Sequence, residues 1–196
     1  MNKDIFEYKI FNDDIFVGDY TEYSKLNPQY ANVGVVFSEQ PFDNLNSLHI
    51  INHRHIPIGA INFEEYEDIL KDDQGNLVKQ CEGLCFAERA KKHGFVLLIE
   101  MKYCLEKNIE RNVDEAKYQL EKSLIYLRDT KHIIEKKDRI YWVISIPDHS
   151  ACEPFNSFIY SQSDLLELQD RLGVIMFFRQ NEIVVHTDAH LMIPNT

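Results

Sequence analysis

The sequence predicts a mixed α/β fold in a single domain. Two strongly apolar runs, at 95–99 and 139–146, are rich in β-branched and aromatic residues, which is typical of buried central strands. A helical apolar pattern over 112–130 separates them. The chain has 196 residues, a length that most often forms one domain with a substantial core, and no repeat or linker divides it.

Composition narrows the class of protein. The chain is 44% hydrophobic and 27% charged, which indicates a globular protein. No apolar run approaches the roughly 20 residues that a membrane-spanning helix needs, so we expect no membrane partner. The first residues lack the charged-then-apolar order of a signal peptide, and four cysteines are too few for a disulfide framework. We therefore expect a cytoplasmic protein.

Charge is distributed unevenly along the chain. The net charge of −11 argues against a polyanionic partner. However, residues 79–139 hold 14 of the 21 Lys and Arg residues against 11 acids, whereas the rest of the chain holds 7 basic and 21 acidic residues. Basic character is thus concentrated in the middle of the chain. DNA or RNA remains open as a partner, as do a protein partner and a homodimer.

The first 58 residues look like an N-terminal extension without visible chemistry. A strand is expected at 34–37, and the aromatic residues near the N-terminus favour another. His53 and His55 could present two imidazoles on one strand face, but no third metal ligand follows at a recognisable spacing, which favours ordinary histidines. Residues 61–70 predict a short amphipathic helix.

Two neighbouring strands are expected to carry the chemistry. The first covers 78–86 and contains Glu82, on the face of Leu84 and opposite Cys81. The second covers 95–103, where Glu100 and Lys102 share one face and Met101 takes the other. Charged groups at the end of a buried strand are costly unless they are paired or used. An acid on one strand beside Glu-x-Lys on the next is a frequent design for a two-carboxylate metal site.

Two other interpretations of this region stay open. Cys81, Cys85 and Cys104 could form a zinc site with His93, but their spacing matches no common zinc motif, and cysteine is often simply buried. Alternatively, Glu100 and Lys102 form a structural ion pair, with Glu82 exposed.

The rest of the chain predicts helices and strands whose ends are marked by capping and helix-stop residues. Asn112 is expected to cap the helix at 112–130, with Glu115 completing a capping box. Its apolar stripe comprises Val113, Ala116, Leu120, Leu124 and Leu127. In the C-terminal part, 147–196, a helix at 163–172 ends before Gly173, and 174–178 with 183–185 predict a terminal hairpin.

Over residues 60–146, the order of helix, strand with an acid, strand ending in Glu-x-Lys, long helix and strand resembles the PD-(D/E)XK nuclease superfamily. Glu82 falls on its first acid, which is more often Asp, and Glu100 and Lys102 fall on its (D/E)-x-K. Some branches carry Gln-x-x-x-Tyr on the next helix. Here Gln119 is followed by Ser123, which favours an exposed glutamine. The resemblance implies a restriction-endonuclease-like core, a central mixed β-sheet flanked by helices, that binds a divalent metal and hydrolyses nucleic-acid phosphodiesters.

The chemistry of these residues is consistent with that activity. Glu82 and Glu100 side by side repel each other unless a divalent cation lies between them, and the Met101 carbonyl could add a third oxygen. Bound Mg²⁺ or Mn²⁺ would activate a water, while Lys102 would orient it or offset charge on the phosphate. The competing hypotheses are a catalytically inactive nuclease-like fold that serves as an interaction or immunity-type protein, and a small-ligand binding domain using the aromatic N-terminal part.

Overall fold

The computed structural model describes residues 6–27, 34–65, 75, 79–90, 93–149, 162–178 and 180–194. The helices in these ranges are α1 Tyr20–Leu26, α2 Ile109–Ile125 and α3 Gln162–Leu172. None of them is both long and apolar enough to cross a membrane. The strands are β1 Lys9–Phe11, β2 Ile15–Asp19, β3 Val35–Ser38, β4 Leu48–Ile51, β5 Ile58–Asn62, β6 Gly83–Ala87, β7 Phe95–Met101, β8 Arg139–Ser145, β9 Val174–Phe178, β10 Glu182–Thr187 and β11 His190–Met192.

The strands form two mixed sheets. The larger has the order β1-β5-β6-β7-β8-β9, antiparallel as far as β7 and parallel from β7 to β9. Parallel neighbours need a crossover connection, and α2 and α3 supply the two that are required. The smaller sheet has the order β11-β10-β4-β2-β3, in which β10 and β4 are parallel. The mixed α/β class is therefore confirmed.

The larger sheet is buried on both faces. On one face, Val96 and Leu98 of β7 pack with the apolar residues of α2 and α3. On the other face, Leu97 and Ile99 pack with the apolar side of the smaller sheet. All seven residues of β7 are buried, which explains its continuous apolar sequence. The second sheet, which takes the place of helices on that face, was not predicted.

The helix predicted at 61–70 is wrong where the structure describes it. Ile58–Asn62 forms β5 between β1 and β6, and a 3-10 turn follows at Phe63–Glu65, whereas 66–70 lie outside the described residues. A Cβ atom at Gly59 would lie 2.2 Å from the Phe86 ring, so the ring of this β6 residue packs directly over the β5 backbone. Burial between two partner strands thus outweighed the helical spacing.

The helix predicted at 112–130 exists with shifted ends. It begins at Ile109, and a π-helical turn at Tyr126–Thr130 follows it. Asn112 therefore lies inside the helix and does not cap it, and its Nδ2 donates to the Asn108 carbonyl at 2.8 Å. The predicted apolar stripe is confirmed, because all of its members are fully buried: Val113, Ala116, Leu120, Leu124 and Leu127.

In the C-terminal part, one prediction is confirmed and one is wrong. The helix ends as expected at Gly173, which has φ +71 and donates its N–H to the Gln169 carbonyl. The predicted hairpin fails because β9 joins the larger sheet, whereas β10 joins the smaller one and pairs with β11. Asn181 fixes the crossing between the sheets, since its carbonyl accepts the His49 N–H and its side chain bonds Ser145.

Candidate functional site

Glu100 and Lys102 lie together at the carboxyl end of β7. By strand alternation Glu100 points to the α2 face, and it is fully buried. Lys102 follows the strand, donates its N–H to the Ser145 carbonyl of the neighbouring β8, and is 6% exposed. Its Nζ lies 2.7 Å from Glu100 Oε1. The prediction that the two side chains share one side is confirmed.

Glu82 lies immediately before β6, in a connection that is pinned on both sides. Its N–H donates to the Ile99 carbonyl at 3.1 Å, and its carbonyl accepts the Phe63 N–H at 3.0 Å. The predicted strand at 78–86 is therefore wrong at its start. Cys81 packs in the same core as Leu84, not opposite it, because strict alternation begins only at Gly83. Glu82 itself is 9% exposed, so the alternative with an exposed Glu82 is also wrong.

The surroundings of Glu82 are unfavourable to a negative charge. Burial raises its pKa well above the ordinary value, and the charges of Glu100 and Asp19 raise it further. The Lys102 ammonium and a hydrogen bond with the Met101 backbone oppose this shift. Oε2 of Glu82 is buried and accepts no hydrogen bond from the residues that the structure describes. An ionised Glu82 therefore has one oxygen without a hydrogen-bond donor among the described residues, and Lys102 and the Met101 backbone only partly offset the cost of its burial.

A line of three contacts, which we call the α2 ladder, holds the chain in front of Glu82. Its helix positions are four residues apart and therefore lie on one face of α2. The contacts are Lys79 with Glu115, the Gln80 carbonyl with Gln119 Nε2 at 3.0 Å, and the Cys81 N–H with Ser123 Oγ at 2.8 Å. The two contacts to backbone atoms, at Gln80 and Cys81, fix the chain that leads into Glu82, so α2 helps to position the acid.

Gln119 connects the ladder to the ion pair. Its Oε1 accepts a hydrogen bond from Lys102 Nζ at 3.2 Å, while its Nε2 reaches Gln80. The expectation of an exposed glutamine is therefore wrong. Its four-residue spacing from Glu115 and Ser123, beside the apolar stripe, is the sequence signal that indicates a polar line facing the protein.

Asp19 is a buried acid near the site that the sequence patterns above did not indicate. It ends β2, is 3% exposed, and accepts the Thr21 N–H through Oδ1 at 2.8 Å. Its charge raises the pKa of Glu82 and contributes to the raised pKa of Tyr103, of which burial is the main cause. The run 15–18 ending in Asp19 resembles the run 95–99 ending in Glu100, and that pattern is a signal for it.

The donor set at the site consists of hard oxygens. Glu82 and Glu100 are carboxylates, the kind of ligand that Mg²⁺ and Mn²⁺ prefer, and Glu82 Oε2 is buried without a hydrogen bond among the described residues. Among those residues, no group of three or more His, Cys, Asp or Glu side chains could hold a metal ion. A Mg²⁺ or Mn²⁺ ion held by these two carboxylates would therefore keep several waters, and its binding stays a prediction. Met101 buries its side chain between the sheets, and the role of its carbonyl stays a prediction.

The structure does not bring together the ligands of the two other predicted metal sites, the cysteine zinc site and the histidine pair. Cys81 and Cys85 belong to the cores on opposite faces of the larger sheet, so they do not converge on one ion. His53 and His55 follow β4 in a turn, not on one strand face. His55 lies 2.8 Å from Asp13, and His49 lies 2.8 Å from Asp14. These histidines serve local polar contacts.

Comparisons of the chain with protein-family models, curated proteins and solved structures give no match. The function of the chain must therefore be inferred from the residues of the site alone.

Proposed function

We propose that the chain is a divalent-metal-dependent phosphodiesterase of PD-(D/E)XK type that acts on nucleic acid. One observation carries the proposal. A buried ammonium, Lys102 Nζ, lies 2.7 Å from the buried carboxylate of Glu100, beside a second buried acid, Glu82, whose Oε2 accepts no hydrogen bond from the described residues. A structural ion pair alone gives no reason for the second acid, since burying it is costly.

The order of elements supports the same proposal. An acid precedes β6, the Glu-x-Lys sequence ends β7, and α2 then leads to β8, which pairs with β7 in parallel. This is the order of the superfamily from its acidic strand onward. The helix predicted at 61–70 does not form over 61–65, where β5 ends and a 3-10 turn follows, and α1 is the α-helix that precedes β6 among the described residues.

Each residue has a distinct role in the proposed site. Glu82 and Glu100, with the Met101 carbonyl, would hold Mg²⁺ or Mn²⁺. The cation would supply Lewis-acid polarisation of the phosphate and a lowered pKa of a water bound to it. Lys102, oriented by Gln119 and Glu100, directs its positive charge at the phosphate, where negative charge develops in the transition state. The burial of Lys102 and Glu100 strengthens that interaction.

A specific observation favours a second candidate, an inactive nuclease-like fold that binds a protein. Lys102 and Glu100 already neutralise each other across 2.7 Å, as a structural pair does. The net charge of −11 also suits a basic protein partner better than a polyanion.

The test is cleavage of labelled single-stranded and duplex DNA and RNA in Mn²⁺, with EDTA as the blank. We expect wild type to cleave at least one substrate and Lys102→Met to lose roughly 10²–10³-fold in kcat, by analogy with the removal of one charge-stabilising donor. Lys137→Met is the matched control, because Lys137 Nζ also lies 2.7 Å from a glutamate oxygen, that of Glu135. This pair precedes the start of β8, whereas Lys102 lies beside the end of β8. Lys137→Met should cleave like wild type.

Two outcomes would contradict the proposal. Wild type that cleaves none of these substrates in Mn²⁺ supports the inactive binding protein. Equal activity of wild type and Lys102→Met would remove Lys102 from the reaction.

A further inference from the structure

The α2 ladder runs from the core to the surface and so marks the side from which the site is reached. Ser123 is fully buried and Gln119 is half-buried, whereas the Glu115 and Lys79 side chains are 39% and 64% exposed. Glu115 precedes Gln119 by four residues, a rise of about 6 Å along a helix. The exposed end of the ladder therefore lies about one helical turn from the Lys102–Gln119 contact.

Several cations surround Glu115 at this exposed end. The hydrogen bond from Lys79 is the main cause that lowers the pKa of Glu115, against the effect of partial burial. The charges of Lys102 and Arg111 lower it as well. Arg111 precedes Glu115 by four residues and so lies on the same face of α2. Lys79 thus contacts Glu115 directly, and the charges of Arg111 and Lys102 act on the same carboxylate, in a chain whose net charge is −11.

The carboxylate of Glu115 has the charge and the acceptor oxygens of a phosphate, the ligand that Lys79 and Arg111 would bind from solution. Lysine and arginine bind phosphate oxygens through charge-assisted hydrogen bonds, and phosphates of a nucleic-acid backbone compete for them in the same way as a carboxylate does. The ion pair of Lys79 with Glu115 is exposed, so breaking it costs little. An incoming phosphate can therefore replace Glu115 as the partner of Lys79.

We propose that Lys79 and Arg111 bind a backbone phosphate of a nucleic-acid strand next to the phosphate that reacts at Lys102. Glu115 holds Lys79 in the free protein and releases it when the strand binds. This inference rests on the proposed function and adds to it the residues that bind the strand beside the reacting phosphate and the direction of approach, across the N-terminal half of α2.

The experiment compares Lys79→Gln and Glu115→Gln with a second exposed pair on the same chain. Steady-state cleavage of the preferred oligonucleotide is measured in Mn²⁺ between 50 and 200 mM salt, concentrations at which phosphate contacts are strongly salt-dependent. We expect Lys79→Gln to raise KM roughly tenfold with little change in kcat, the signature of lost uniform binding. The dependence of log(kcat/KM) on log[salt] should become shallower by about 0.7–0.9. Glu115→Gln should lower KM, because Lys79 is then unoccupied.

Lys137→Gln and Glu135→Gln are the controls, since that pair has the same chemistry away from the site. Both should leave KM and the salt dependence unchanged. If wild type cleaves but Lys79→Gln behaves like Lys137→Gln, this inference is overturned and the proposed function stands. If Glu115→Gln raises KM, Glu115 aids binding and the exchange is overturned. If wild type cleaves nothing, both proposals fail together.

Discussion

At Glu82, a buried carboxylate lies near two other acids, Glu100 and Asp19. Burial and both charges raise the pKa of Glu82, so the folded protein binds the proton of this carboxyl group more tightly than the unfolded chain does. The stabilisation from the protonated group is present below the unfolded pKa of about 4.3 and is lost as pH rises through the higher folded pKa. Without metal, this carboxyl group therefore contributes less stability at neutral pH than at low pH.

The corresponding prediction concerns Glu82→Gln in EDTA. We expect its free energy of unfolding to equal or exceed that of wild type at pH 7–8, and the difference to shrink towards pH 4, where wild type is protonated. Urea melts across this range measure it. Glu115→Gln is the control, and its effect on the free energy of unfolding at pH 7 should have the opposite sign. Lys79 lowers the pKa of Glu115 in the folded state, so the ionised Glu115 stabilises the fold. A Glu82→Gln variant that is clearly less stable at pH 7 would mean that the carboxylate has a stabilising partner.

The sequence predicts part of this site for a local reason. Glu100 and Lys102 follow an apolar run, and the two-residue period of a strand puts them on one side. Asp19 and Gln119 reach the site from distant segments. Asp19 ends β2 and acts on Glu82 through its charge, and Gln119 on α2 accepts a hydrogen bond from Lys102, which follows β7. No local sequence pattern shows that Asp19 lies near Glu82 or that Gln119 contacts Lys102. The sequence shows only that Asp19 follows an apolar run and that Gln119 lies four residues from Glu115 and Ser123.

At the scale of elements, α2 covers the larger sheet through its apolar stripe. Leu120 is fully buried in the core between α2 and the sheet. We expect Leu120→Ala to lower the free energy of unfolding by about 2–5 kcal/mol, as large-to-small changes in a core do. Leu166→Ala on α3 is the matched control, because Leu166 is 53% exposed, and it should change stability by no more than about 0.5 kcal/mol.

Urea denaturation of both variants checks this pair. A loss well below 1 kcal/mol for Leu120→Ala would contradict the packing of α2 on the sheet. Equal losses in the free energy of unfolding for Leu120→Ala and Leu166→Ala would contradict the difference in burial between the two side chains.

The elements that the sequence predicts well are those whose pattern is set by burial on fixed faces. β7 and β8 are apolar except for Glu100 in β7 and the terminal Arg139 and Ser145 of β8, because both faces of the sheet are covered. The stripe of α2 follows its helical period. The errors at 61–65 and at 174–185 have another cause. Ile61 and Asn62 end β5, whereas 174–178 and 183–185 lie in β9 and β10, and each of these strands has a partner far away in the sequence. Strand pairing of this kind is not visible in a local period.

At the scale of the molecule, the smaller sheet joins the two ends of the chain. Strands β2, β3 and β4 come from the first 58 residues, and β10 and β11 come from the last part. This layer covers the larger sheet and brings Asp19 near Glu82. Residues 1–58, which showed no chemistry in the sequence, therefore contribute a charge to the site.

The central claim is that Glu82 and Glu100 bind a divalent cation, and a melting experiment tests it most directly. Melting temperatures are measured for wild type, Glu82→Gln, Glu100→Gln and Lys102→Met, each in EDTA and in millimolar Mn²⁺. We expect Mn²⁺ to raise the melting temperature of wild type and Lys102→Met, and neither glutamine variant to respond, since the ion loses a ligand. A wild type that does not respond to Mn²⁺, with Glu100→Gln and Lys102→Met both less stable in EDTA, would contradict the claim and leave a structural ion pair.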